Sequence, residues 1–156
     1  MVKTRRQHRA PWKCTFAKED KSKCESGISP KSDQEYFEIL CLCILQAGLG
    51  WGMVRKNWPK FKRGFYGFNI ERLAKAKKEE LLKRDGVVKN KIKIEAIVNN
   101  AKKFQKMKED KGSFSKFLKL LKRSEDKEAI KILTQTFVHI GKYTAEYYLH
   151  SVGYWR

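Results

Sequence analysis

From Tyr36 to Leu45 the chain reads Tyr-Phe-Glu-Ile-Leu-Cys-Leu-Cys-Ile-Leu, and Glu38 is its one charged side chain. A helix that is apolar on nearly every side must be wrapped by other elements, so this stretch is the expected central core helix. Ser32 is placed to cap its start, with Glu35 three residues on completing a capping box. Gly48 and Gly50 allow a sharp exit, and Trp51 follows directly. A core helix that delivers Gln46 and Trp51 to its open end is well placed to build a pocket there. Cys41 and Cys43 sit inside the apolar run, where thiols act as small hydrophobes rather than disulfide partners. That usage points to a reducing, intracellular compartment, cytoplasmic or nuclear.

The remaining chain supplies helices to do the wrapping. Phe61, Phe65 and Phe68 recur at helical spacing, after a new start expected at Asn57-Trp58-Pro59 with Pro in the first turn. Asn69 can cap a short helix bearing Ile70 and Leu73, and Leu81 and Leu82 mark another that ends at Asp85-Gly86. A long helix then carries Ile94, Ile97, Val98, Ala101 and Phe104 on one face. Lys91, Lys93, Lys102, Lys103 and Lys106 are read onto the other, as a solvated or phosphate-facing surface. Gly112-Ser113 breaks it, and Phe114, Phe117, Leu118 and Leu121 form the next. Ser124 with Glu128 begins a helix bearing Ile130, Leu133 and Phe137, and Lys142 to Val152 resumes after a turn at Val138–Gly141. No period of two is sustained anywhere, so the fold class is all-α.

Residues 1–29 differ. Lys3, Arg5, Arg6, Arg9, Lys13, Lys18, Lys21 and Lys23 face only Glu19, Asp20 and Glu25, without periodicity, which reads as a basic, flexible arm ahead of a helical domain at 30–156. Trp12 and Cys14 interrupt it. His8, Cys14 and Cys24 have poor spacing for zinc, so no metal or other cofactor is expected. The full chain carries +19 from 36 Lys+Arg against 17 Asp+Glu. Such self-repulsion usually reflects a polyanionic partner, nucleic acid first and an anionic membrane surface second. No apolar run is long enough to span a bilayer. One domain, acting as a monomer, is the natural reading at 156 residues.

Two helices joined by Val-His-Ile-Gly and followed by Lys-Tyr-Thr-Ala have the form of a helix-hairpin-helix DNA-binding motif, at about 125–152. The turn and the start of the second helix offer backbone N–H groups to a phosphate. Gly141 allows close approach, and His139, Lys142, Tyr143 and Thr144 stand around it. An ordinary helical corner with a C-cap glycine gives the same pattern without DNA; the net charge favours DNA.

Several separated segments together resemble one family, the type I 3-methyladenine DNA glycosylases of the helix-hairpin-helix superfamily. They are Phe-Glu-Ile-Leu-Cys-Leu at 37–42, Gln-Ala-Gly-Leu-Gly-Trp at 46–51, Gly-Val-Val-Lys-Asn at 86–90, Lys-Ile-Glu-Ala-Ile-Val-Asn-Asn-Ala at 93–101 and Phe-Val-His-Ile-Gly at 137–141. The resemblance implies an all-α enzyme that flips an alkylated base from double-stranded DNA and hydrolyses its N-glycosidic bond. It makes Trp51 the residue that stacks on the base, with Gln46 and Cys43 beside it. It sets His139, Gly141, Lys142, Tyr143 and Thr144, together with Asn90 and Lys93, toward DNA. The chain departs from the family at the pocket glutamate, whose place is taken by Cys43, so the catalytic group is unassigned, with Gln46 a candidate. Glu38 lies about 140° around the helix from Cys43 and cannot simply replace it. The family's C-terminal zinc ligands would fall beyond Arg156, as would the Asp that other superfamily members use. Tyr143 holds the position of a Schiff-base lysine, so lyase chemistry is not expected. His150 is read as a surface residue. The competing readings are a non-catalytic DNA-binding relative and a basic RNA-associated helical protein.

Overall fold

The computed structural model describes residues 27–155, the side chain of Trp51 excepted. Most of the basic arm, including His8, Trp12, Cys14 and Cys24, lies outside the described residues, as does Arg156. Eight α-helices follow: α1 (Asp33–Gln46), α2 (Trp51–Gly64), α3 (Ile70–Lys75), α4 (Lys78–Leu82), α5 (Lys91–Lys111), α6 (Phe114–Leu121), α7 (Asp126–Thr136) and α8 (Lys142–Ser151), with a 3₁₀ turn at Tyr66–Phe68. The all-α class holds.

The apolar run does become the wrapped helix. Every residue of α1 from Tyr36 to Leu45 is buried, and α2, α5, α6 and α8 pack around it. Each large apolar side chain so enclosed contributes roughly 1.5–3 kcal/mol. Phe104 of α5 and Phe114 of α6 stack at 4.6 Å, and Phe37 and Phe137 close on Phe104 at 5.2 and 5.4 Å. That cluster joins α1, α5, α6 and the end of α7. The Tyr148 hydroxyl donates to the Tyr36 carbonyl at 2.8 Å and ties α8 to the start of α1.

Local chemistry sets the helix starts. Ser32 Oγ accepts from the Glu35 amide, Asn69 Oδ1 from Arg72, Asn90 Oδ1 from Lys93 and Ser113 Oγ from Lys116, each meeting one orphan donor of a first helical turn. Glu35 reaches back to the amide of Lys31 rather than to that of Ser32.

Two starts differ from expectation. The helix read as beginning at Asn57-Trp58-Pro59 instead runs unbroken from Trp51 to Gly64, with Pro59 inside it. The proline forfeits one backbone bond, but the Trp58 indole donates to Glu38 Oε2 at 2.7 Å and Phe61 and Phe65 are buried, so tertiary packing overrides the local break. Arg84 finishes that helix from outside, donating to the Gly64 and Arg63 carbonyls. α7 starts after Glu125 and not at Ser124, whose amide still closes the end of α6 on Leu121. Asp126 and Glu128 in its first turn complement the helix dipole without a side-chain cap.

Candidate functional site

Two turns carry the residues singled out above. The first lies between α1 and α2. Gly48 and Gly50 take φ of 82° and 87°, which an L side chain adopts only with strain, and the chain reverses there into Trp51, the first residue of α2. The Leu49 and Gly50 amides both bond back to the Gln46 carbonyl, at 2.9 and 2.8 Å. Gln46 and Ala47 are half-buried, while Leu49 and Met53 are exposed large apolar residues on either side of Trp51. Cys43, one turn back, has no exposed surface. Burial pushes its thiol far up, so it supplies no thiolate near neutral pH.

Lys93 was expected on the lysine-rich outer face of α5. The structure corrects this: it is 6% exposed, and its Nζ donates to the Leu45 carbonyl at 3.0 Å and to the Ala47 carbonyl. α1 has no basic residue in its own last turn, so Lys93 supplies the charge that its C-terminal dipole favours. Desolvation lowers the Lys93 pKa from its ordinary value. Asn90 is spent on the backbone of the same lysine. Lys91, Lys102, Lys103 and Lys106 do face solvent.

The second turn is the hairpin between α7 and α8. His139 is exposed at φ 63° and Gly141 precedes α8 with no side-chain cap. Lys142 and Tyr143 are exposed, and Thr144 is half-buried. The Tyr143 ring meets the buried Tyr147 edge-on at 4.7 Å, which fixes it against the surface of α8. A Cβ at Gly141 would meet nothing within 4 Å, and its φ of −86° needs no glycine. The open space above it is therefore on the outside, where a phosphate could approach the amides of the helix start.

Two features, His150 and Asn100, were misplaced or missed, while Glu38 lies apart from Cys43 as expected. His150 is buried at 4% exposure, not a surface residue, because α8 is wrapped along its last turn and its carbonyl accepts the Gly27 amide. Desolvation lowers its pKa from 6.5 to about 4, so it is neutral at pH 7. Glu38 is buried between the Trp58 indole and Lys62, 3.3 Å from its Nζ, and so is held on another side of α1 from Cys43. Asn100 is fully buried and exchanges two hydrogen bonds with the backbone of Val138, its Oδ1 accepting at 2.7 Å and its Nδ2 donating at 3.0 Å. Nothing in the sequence marks this pair except the Asn-Asn itself, an unusual choice inside a long helix.

With that geometry in place, comparison decides the family. The family model described as methyladenine glycosylase matches residues 24–152. The chain belongs to this family. Among curated relatives it is 32% identical over 97 residues to the DNA-3-methyladenine glycosylase of Haemophilus influenzae, which covers 60% of this chain and 52% of that protein. It is 29% identical, with the same coverage, to DNA-3-methyladenine glycosylase 1 of Escherichia coli. The chain thus spans about half the length of the curated relatives it matches. Among solved structures, 3-methyladenine DNA glycosylase I from Staphylococcus aureus superposes with a TM-score of 0.72 at 26% identity, covering 83% of this chain and 80% of that one. Another 3-methyladenine DNA glycosylase I structure gives 0.71 at 25%, over 83% of each chain. Among the described residues, no helix of this glycosylase-family chain is long and apolar enough to cross a membrane.

Proposed function

We propose that this chain is a base-excision repair glycosylase that flips an alkylated purine of the 3-methyladenine kind out of duplex DNA and hydrolyses its N-glycosidic bond. The family match over 24–152 carries this reading. The two turns support it, one bringing Trp51 to the end of the buried helix and the other offering an uncapped helix start beside Lys142.

The chemistry asks little of the protein. A purine alkylated on N3 or N7 is cationic; when the glycosidic bond breaks, the bonding pair returns to the base and neutralises it. Water adds to the sugar carbon and loses a proton, so no covalent enzyme intermediate is needed. Trp51 provides stacking and cation–π attraction, which select the charged base over a neutral one. In this reading Gln46, half-buried at the end of α1, hydrogen-bonds a base edge. His139, Gly141, Lys142, Tyr143 and Thr144 hold the strand through its backbone, which positions without reading sequence.

One observation favours a second reading. Cys43, at the place of the family's pocket glutamate, is sealed in the core, and a relative that binds DNA without hydrolysis would show this. Trp51→Ala separates the two. Base–aromatic stacking is worth about 1–3 kcal/mol, so excision is expected to fall roughly 10- to 100-fold with intact-duplex affinity nearly unchanged. Equal loss of both would make Trp51 a core residue instead.

A further inference from the structure

Lys93 and Asn100 lie on the same long helix, each buried, and each reaches one of the two turns. Seven residues on an α-helix is a rotation of about 700°, which returns a side chain to nearly the same face, about 10 Å further along. The Lys93 ammonium takes the Leu45 and Ala47 carbonyls at the end of α1, and the Asn100 amide takes both backbone groups of Val138, immediately before His139. We infer that α5 acts as a ruler, with Lys93 and Asn100 as positioning residues that hold the base-pocket turn and the DNA-backbone hairpin at a fixed separation. The functional half of this inference rests on the glycosylase reading.

The accounting of backbone groups supports it. At the end of α1, the Ile44 carbonyl accepts the Ala47 amide, and the Gln46 carbonyl accepts those of Leu49 and Gly50. Those bonds are local, made within a segment that contains two positive-φ glycines. Among the described residues, the Leu45 and Ala47 carbonyls accept from the Lys93 ammonium of α5, so Lys93 sets the direction in which the chain enters Trp51. The hairpin follows the same rule: Ile140 and Phe137 anchor it by apolar burial, which is not directional, whereas the Asn100 pair fixes the orientation of one peptide. Asn90 locks the arrangement from the start of α5, since its side chain holds the amide of Lys93 itself. Flipping a base requires the strand grip and the pocket to be in register, because a nucleotide held by its phosphates at one turn must arrive with its base at the other.

The test is residue-resolved amide hydrogen exchange on the full chain for Lys93→Met and Asn100→Ala, paired with duplex affinity and single-turnover base release. Lys93→Met is expected to speed exchange at Leu49 and Gly50 by about tenfold with Val138 unchanged, and Asn100→Ala to do the reverse. Lys93→Met should lower release from methylated duplex about tenfold at saturating protein while duplex Kd moves less than about twofold. Asn100→Ala should raise duplex Kd by about fivefold and, with the hairpin out of register with the pocket, also lower the saturating rate by about fivefold. Lys93→Arg, which keeps the charge and donors, should recover most of the rate. Exchange that rises at both turns together in either variant would show a general loosening of the core and overturn the inference. So would a Lys93→Met variant that loses affinity and rate alike, which would return the ammonium to a phosphate. If the wild-type protein releases no base, the glycosylase reading fails, and the exchange pattern still decides the ruler on its own.

Discussion

The α1–α2 turn and the α7–α8 hairpin both bend the chain at a glycine, but for opposite reasons. Gly48 and Gly50 sit at positive φ with nothing near their missing side chains, so the chain's own path requires them. The hairpin takes its positive φ at His139, a residue with a side chain, and keeps Gly141 at an ordinary φ beside open space. The first turn is shaped by the demands of the fold. The second keeps its glycine beside open space on the outside of the protein. In the proposed reading, a glycine that the backbone does not need, at an uncapped helix start in a chain of net charge +19, leaves room for a phosphate.

The widest expected difference between the two regions is in acid. α8, the second helix of the hairpin, carries His150, which is buried neutral with a pKa near 4 against 6.5 when exposed. The unfolded chain takes up that proton first, so stability is full above about pH 6.5 and is lost as pH falls toward about 4, by about 2–3 kcal/mol. Urea melts across this range should show the loss, and His150→Gln, neutral throughout, should flatten it. An unchanged slope in that variant would mean that another group carries the acid loss.

Glycine substitution addresses the comparison directly. Gly48→Ala is expected to cost about 1–2 kcal/mol of stability, because its left-handed backbone is strained for any side chain. Gly141→Ala should change stability by less than about 0.5 kcal/mol yet weaken duplex binding measurably. If instead Gly141→Ala destabilises and leaves binding alone, the two glycines serve the same structural purpose and the distinction collapses. The smallest effect is at Lys142: its replacement by Gln should reduce the slope of log affinity against log salt by about 1, with no change in melting.

How much of this was legible in the sequence depended on where each residue's partner lay. Asn69, Asn90 and Ser113 cap amides three residues away, and their helices begin where the sequence places them. The apolar run at Tyr36–Leu45 announced its own burial. What stayed hidden were polar residues satisfied from a distance. Lys93 reaches carbonyls 46 and 48 residues earlier, yet in the sequence it looks like a member of a solvated face, and Asn100 pairs 38 residues ahead with nothing in the sequence beyond the Asn-Asn itself to single it out. Pro59 read as a helix start for the same reason, since the Glu38–Trp58 bond that carries α2 past it joins residues 20 apart. The candidate catalytic group stayed unassigned because Cys43 replaces the one carboxylate that would have named it.

The most direct test of the central claim is to incubate the purified full chain with methylated duplex DNA at neutral pH and identify the bases set free. The account predicts release of 3-methyladenine, with a cationic leaving group and the Trp51 pocket sufficient despite Cys43. Well-folded protein that binds the duplex and releases nothing would contradict it, and would leave a DNA-binding relative whose chemistry was lost at Cys43.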